Sequence, residues 1–205
     1  MTKIDFRKEL KSFYAPPRAQ FTLIKIPALR YLMLDGKGNP NTSASYVNAL
    51  QALYGTAYTL KFFSKNELKK DYIVPPLEGL WWAKDMSAFK ERKKDLWHWT
   101  MMLMVPEWIK PRQIDDAIDT LRQKKNPTSL DKLRHTTLTE GLSVQILHIG
   151  SYDDETPILA KLHNDFMPEN KLTFNGKHHE IYLSDPRKTP DHKLKTILRQ
   201  PVKPL

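Results

Sequence analysis

Apolar positions along the chain change period in a fixed order. Residues 21–26 have a strand pattern, and after Pro27 residues 28–34 continue it with β-prone side chains. Asp35-Gly36-Lys37-Gly38-Asn39-Pro40-Asn41 is a dense turn cluster, and Thr42 or Ser43 can cap the helix that follows. Tyr46, Ala49, Leu50, Leu53, Tyr54 and Ala57 then recur at helical spacing to about residue 60. A charged connection (residues 61–71) leads to a strand over 72–82, whose Pro75 and Pro76 mark an irregular or edge start. Residues 83–95 form a charged excursion, read as a loop or short helix, and residues 96–105 are strongly β-like. Pro111 opens a second helix, with Ile114, Ala117, Ile118 and Leu121 on one face to about residue 125, and residues 126–133 continue as helix or loop. The second half reads as a strand over 142–149 and a helix over 153–166 that buries Ile158, Leu159, Leu162 and Phe166. A turn region over 170–177, a strand over 178–183 and a last strand over 194–199, closed by Pro201, complete it. Residues 1–20 give only a short amphipathic start (Phe6, Leu10, Phe13, Tyr14) ended by Pro16-Pro17.

The order is strand, helix, strand, strand, given twice. The pattern predicts an α+β fold in which two such units, related by pseudo-twofold symmetry, share an antiparallel-rich sheet with the main helices on one face. The natural ligand site is a groove between the halves. We read residues 1–205 as one domain, with a first half of about 21–110, a helical connector of about 111–135 and a second half of about 140–202.

Composition narrows the classes. With 40% hydrophobic and 27% charged residues the chain has a globular balance. No apolar run approaches the ~18 residues that cross a bilayer, and the first residues lack the apolar stretch of a signal peptide. There is no cysteine, which excludes disulfides and thiolate chemistry, and a cytoplasmic location is the economical reading. A net charge of +10 raises the question of nucleic acid, but the basic residues fall in short scattered runs without interleaved aromatics, which argues against it. The seven histidines show no ligand spacing, so neither a metal nor any other cofactor is expected.

Two strands carry the candidate chemistry. Pro76-Leu77-Glu78-Gly79-Leu80-Trp81-Trp82 and His178-His179-Glu180-Ile181-Tyr182-Leu183 each hold one carboxylate in an otherwise apolar or aromatic run. A charge in a sheet is costly unless paired, solvated or used. Two at matching places in a duplicated unit suggest a pocket lined by both Glu78 and Glu180. Alternation puts His178, Glu180 and Tyr182 on one face and His179, Ile181 and Leu183 on the other. The apolar set suits a helix-covered core, which leaves Glu180 and Tyr182 facing a cavity. Glu78 shares a face with Leu80 and Trp82, although a bulge at Gly79 would swap the faces downstream. One of Trp81 and Trp82 then lines the pocket and the other packs in the core. Trp97 and Trp99 share a face and serve either as core or as a pocket wall for planar ligands. Tyr152, at a strand-to-helix junction, is either a hydrogen-bond donor at the pocket rim or a plain turn residue.

Three stretches resemble the GyrI-like small-molecule-binding family, and the resemblance covers nearly the whole chain. The turn of residues 35–41 with Ala52-Leu53-Tyr54 and Ala57-Tyr58-Thr59-Leu60-Lys61-Phe62 is similar to the first turn and helix of its stand-alone branch. Pro76 to Trp82 resembles that branch's distinctive strand. His179-Glu180-Ile181-Tyr182-Leu183-Ser184-Asp185-Pro186, with Lys193 to Val202, resembles the family's terminal signature. The resemblance implies that Glu180 lies in a ligand pocket. It also implies hydrolysis of cyclopropane-bearing, planar electrophiles as one possible activity, with roles in drug resistance and detoxification. Relatives that regulate transcription carry an N-terminal DNA-binding module; about twenty residues precede the first strand here, so a stand-alone protein is expected.

A carboxylate among aromatics is desolvated, which raises its pKa and suits it to act as a general base on water. Glu180 or Glu78 would activate the water, and Tyr182 or Tyr152 would support the phenolate that emerges as a strained ring opens. Help of this kind is worth ~10²–10⁴-fold. The rival reading is a non-catalytic binder in which the same Glu is counter-ion to a lipophilic cation. Interaction with DNA gyrase is a third, suggested by the family name alone.

Overall fold

Two long strands set the architecture. β1 (Thr22–Lys37) and β4 (Arg134–Ile149) each run for 16 residues, and each serves two neighbours in succession. β1 pairs antiparallel with β4 through residues 22–33 and with β3 (His98–Met104) through residues 31–37. β4 pairs with β1 through residues 134–145 and with β7 (Lys195–Pro204) through residues 143–149. β2 (Leu77–Trp82) and β6 (His178–Tyr182) pair with each other and with β3 and β7. The ring therefore runs β4-β1-β3-β2-β6-β7 and back to β4, a closed antiparallel barrel. Closure satisfies strand edges that an open sheet leaves bare. A short β5 (Leu172–Phe174) adds to the far end of β7, in a stretch expected to be only a turn. The computed structural model describes residues 2–85, 91 and 93–205. Part of the charged excursion expected over 83–95 thus lies outside the described residues.

Exchanging β1 with β4, β2 with β6 and β3 with β7 leaves the set of pairings unchanged. That is the pseudo-twofold the repeated element order predicts. Closure of the sheet was not expected, because apolar periodicity marks faces and not neighbours.

The helices of the two units lie outside the ring. α3 (Ala44–Asn66) and α4 (Pro111–Lys124) cover one side. Ala49, Ala52 and Leu53 of α3 pack against Leu32, Leu34, Trp99, Met101 and Leu103 of β1 and β3, and against Leu121 of α4. The alanines let the helix backbone come close to the sheet. In the second unit a 3₁₀ turn (Tyr152–Glu155) leads into α5 (Thr156–Lys161), a π-helical stretch (Leu162–Phe166) and the short α6 (Met167–Glu169). Leu162 and Met167 seat this segment on Val144, Leu172 and Val202.

The amphipathic start of the chain becomes α1 (Phe6–Glu9) and α2 (Lys11–Tyr14). Phe6 and Leu10 pack on Tyr31, Met33, Leu80, Met102 and Met104, the inward residues of β1, β2 and β3. Tyr14 and Phe13 pack on Ile181 and Ile197 of β6 and β7. The two short helices thus plug the barrel from one end.

Trp99 illustrates how tightly the outer layer is built. It is fully buried, its ring lies over Gly36 of the neighbouring strand, and it meets Tyr46 of α3 edge to face at 5.3 Å. A Cβ at Gly36 would sit 2.0 Å from Cη2 of Trp99. Gly36→Ala is expected to displace this ring and to destabilise the fold by about 1–3 kcal/mol, the usual cost of overpacking. Urea denaturation checks it, and a variant as stable as wild type would contradict the packing described.

Candidate functional site

Adjacent residues on β2 and β6 serve opposite sides of the barrel wall. Glu78 and His179 point inward, whereas Gly79 and Glu180, directly paired across the two strands, belong to the outer face. Neither strand skips a residue in its pairing, so Gly79 marks no bulge. Glu78 and Glu180 are therefore not equivalents in the duplicated unit and do not share a pocket, contrary to the expectation from sequence. The exchange that relates the halves keeps inside and outside apart. The assignment of the β6 faces is corrected as well. The His179 and Ile181 face lines the barrel under α1 and α2, and the Glu180 and Tyr182 face is the one that carries the unit helices.

Inside the barrel the polar groups form one network. Glu78, with no exposed surface, accepts hydrogen bonds from the hydroxyls of Tyr14 (2.9 Å) and Tyr31 (3.1 Å). His179 lies with Nε2 3.0 Å from Glu78 and Nδ1 2.8 Å from Glu140. Arg199 closes the set, donating to Glu140 at 3.0 Å, to Gln145 at 3.1 Å and to the Phe13 carbonyl at 2.8 Å. Glu140 and Gln145 both reach Arg199 although they stand five positions apart, an odd offset that would put them on opposite faces of a regular strand. Gly141, left-handed at φ +68°, shifts the alternation between them. Burial works against the charge on Glu140, yet His179 and then Arg199 hold its carboxyl down at about 2. Burial likewise disfavours the His179 charge, but Glu140 and then Glu78 push it up to about 9. The tyrosines are raised far above the ordinary phenol range, first by burial and then by Glu78, so both keep the protons they donate.

The outer face presents a different arrangement. The Tyr182 hydroxyl donates to Glu180 Oε2 at 2.8 Å and accepts from Trp81 Nε1 at 2.8 Å. Gly79 makes room for this relay: a Cβ there would lie 2.9 Å from Trp81 Nε1 and 3.1 Å from the Tyr182 oxygen. His178 Nε2 stands 3.5 Å from Glu180 Oε1. Trp97 meets Trp81 edge to face at 5.9 Å, and Tyr152 meets Tyr182 the same way at 5.7 Å. Burial and then the Glu180 charge raise the phenols of Tyr46, Tyr152 and Tyr182, that of Tyr152 to about 12. Buried polar atoms here without a hydrogen-bond partner among the described residues include both ring nitrogens of His178 and Oε1 of Glu155, whose carboxyl is met only by the hydroxyl of Thr196, the residue opposite Tyr182 on β7. Each such atom costs about 1–3 kcal/mol if nothing meets it.

Of the residues singled out from sequence, the structure brings together Glu180, Tyr182, Trp81, Trp97 and Tyr152. Trp81 is the outward member of its pair, and Trp82 turns inward beside Leu80. Trp99 is core, below Tyr46. Sequence reasoning missed Tyr46, Glu155 and His178 around Glu180, and Tyr14, Tyr31, Glu140, His179 and Arg199 around Glu78. Two surface grooves are also present. One, of about 730 Å3, is lined by Tyr14, Leu183 and the basic side chains Arg7, Lys8, Lys193 and Lys195. The other, of about 200 Å3, has Leu80, Glu140 and Lys177 in its wall. Neither has Glu180 or a tryptophan in its lining, so the expected cavity containing both is not one of these. Among the described residues no group of three or more His, Asp or Glu could hold a metal ion, and no helix is long and apolar enough to cross a membrane.

A duplicated α+β barrel with a carboxylate in an aromatic setting at the seam of its halves defines a small-molecule-binding domain. The sequence pattern of the GyrI-like small molecule binding domain matches residues 19–203, and the chain belongs to that family. An uncharacterized conserved protein from Listeria innocua is 40% identical, with a TM-score of 0.90 over 98% of this chain and 100% of its own. A hydrolase from Listeria innocua is 38% identical, with a TM-score of 0.85 over the same shares. The C-terminal domain of EcmrR, 13% identical with a TM-score of 0.58 over 91% of this chain and 98% of its own, shares the fold. No curated protein matches significantly.

The interior network gives stability a defined pH dependence. Glu140, held at about 2 in the folded chain against about 4.3 unfolded, contributes stability that is present above the unfolded value and lost as pH falls toward 2. His179, at about 9 folded against about 6.5 unfolded, contributes stability that is full below the unfolded value and lost as pH rises through 9. Urea midpoints are expected to be highest between about pH 5 and 6.5 and to fall on both sides. His179→Gln is expected to lower the whole profile and to flatten its alkaline side. An alkaline side unchanged in that variant would contradict the network.

Proposed function

We propose that the protein is a hydrolase of planar, electrophilic small molecules, with Glu180 as the general base that activates water. One observation carries this reading: the Glu180 carboxylate is fixed by a dedicated relay, Trp81 to Tyr182 to Glu180, with both links at 2.8 Å. It sits beside a buried imidazole, His178, whose ring nitrogens have no hydrogen-bond partner among the described residues and whose Nε2 is 3.5 Å from the carboxylate. A carboxylate whose orientation is set by a neighbour suits proton abstraction from water. The rings of Trp81, Trp97 and Tyr152 supply flat walls for a planar guest. A relative 38% identical over nearly the full chain is a hydrolase, which supports the same class. Within that class the family resemblance favours a cyclopropane conjugated to a dienone, whose strain lets modest general-base help suffice. The water O–H proton goes to Glu180, the water oxygen bonds to the cyclopropane carbon, and the electrons of the broken ring bond end on the dienone oxygen as a phenolate. Tyr182 holds the base in place, and Tyr152 at the exposed rim is the candidate hydrogen-bond donor to the substrate. Glu78, enclosed in the barrel, has no part in the chemistry.

The same geometry also suits a non-catalytic binder of lipophilic cations, with Glu180 as counter-ion and the tryptophans as cation–π partners. Glu180→Gln separates the two readings. The variant keeps size and hydrogen bonding but removes charge and basicity. Turnover of a spirocyclopropyl cyclohexadienone, followed by loss of its dienone absorbance, is expected to fall by ~10²-fold or more with binding of the neutral dienone retained. Weakened binding of a cationic dye, with no turnover in either protein, would instead establish the binder.

A further inference from the structure

Glu155 is the buried acidic group that the mechanism above leaves without a task. It ends the turn that opens the second-half helix, and only 4% of it is exposed. Its Oε1 has no hydrogen-bond partner among the described residues. The other two buried glutamates are unlike it, since Glu78 and Glu140 each have both oxygens engaged inside the barrel. Its surroundings belong to the Glu180 site. Tyr152, at the other end of the same turn, lies against the Tyr182 ring. Thr196, a buried residue that pairs with Tyr182 across β6 and β7, turns its hydroxyl toward the Glu155 carboxyl. Burial and then the Glu180 charge raise the Glu155 carboxyl well above the ordinary carboxylate range, and a hydrogen bond from the Thr196 hydroxyl only partly opposes them. Two carboxyl groups that feel each other's charge in unlike environments are the usual basis for dividing acid from base.

We propose that Glu155 is the general acid of this site, the proton donor that completes the reaction Glu180 begins. The inference rests on the hydrolase reading. As the ring bond breaks and its electron pair reaches the dienone oxygen, the Glu155 O–H bond breaks and its proton passes to that oxygen. The phenol leaves neutral instead of as a phenolate. Glu180 has gained the proton lost by water, Glu155 is ionised, and exchange of one proton with solvent at each group restores the starting state. Nothing is oxidised or reduced, and the sum is addition of one water across the broken ring bond. The arrangement also explains why a carboxyl group within reach of the Glu180 charge is tolerated at a buried position: carrying its proton, it adds no second negative charge.

The test uses the full chain with the spirocyclopropyl cyclohexadienone as probe. Wild type is expected to give a bell-shaped kcat/KM profile whose alkaline limb follows the loss of the Glu155 proton. In Glu155→Gln the rate falls by ~10²-fold and the alkaline limb disappears while the acidic limb stays. Glu155→Asp restores part of the rate together with the limb. A merely structural role would lower the rate and leave both limbs in place, and that outcome overturns the proposal. Infrared spectroscopy gives a readout independent of turnover and of whether the variant folds. Folded wild type at neutral pH is expected to show a protonated-carboxyl C=O band, and its absence overturns the proposal. An active wild type with an unchanged Glu155→Gln overturns this inference alone. A wild type inert toward the dienone overturns the hydrolase reading and this inference with it.

Discussion

Burying two acids and two bases inside a six-stranded ring is the constraint on which the rest of this structure depends. Glu78 and His179 have no exposed surface and Glu140 and Arg199 very little, and a charge taken out of water costs several kcal/mol before any partner compensates. The compensation exists only when the ring is closed. Glu140 comes from β4, His179 from β6, Arg199 from β7 and Glu78 from β2, while the first short helices supply Tyr14 and the Phe13 carbonyl. Removing one partner leaves a buried charge uncompensated, at about 3–5 kcal/mol. The network therefore couples the register of β6 and β7 to the seating of a segment nearly two hundred residues away in sequence.

That coupling bears on the outer face. Side chains in a strand alternate, so whatever fixes His179 inside also fixes Glu180 and Tyr182 outside. The outer residues need no ion pair of their own to hold position. They are free to keep polar atoms unsatisfied, which a ligand or water can then meet. Division of labour between the two faces of one short strand lets the interior carry the ion pairs while the outer face keeps buried polar atoms without them.

The repeated strand-helix-strand-strand order, the buried faces of α3 and α4 and the alternation along β6 were legible in the sequence, because each is a matter of local period. The helix expected over 153–166 is instead broken into 3₁₀, α and π stretches, and of its expected face only Leu162 is fully buried. Ring closure was not, since it rests on β4 pairing with β7, a contact that no local pattern encodes. The inside and the outside of the sheet were consequently exchanged in the reading of His179 and Glu180. Glu78 and Glu180 look alike as lone carboxylates in apolar runs, yet they sit at opposite phases of the alternation, and only the pairing across β2 and β6 reveals it. Tyr46 has the spacing of a core position on α3, and Glu155 closes a run of three acidic residues that reads as an ordinary helix start. Arg199 lies in a strand whose pattern carries no sign of a partner at Glu140. In each case the informative signal is a contact distant in sequence.

Gly79 facing Glu180 across the seam has a further meaning. A scaffold made by duplication offers a guest two matching positions, one on each side of its axis. Here one side brings a negative group and the other brings bare backbone with an indole laid over it. The electric field across the seam therefore has a direction, running from one half of the molecule to the other. A guest laid across the seam would meet two dissimilar walls, so its two ends would not be interchangeable. The twofold survives in the framework and has been erased at the paired positions 79 and 180.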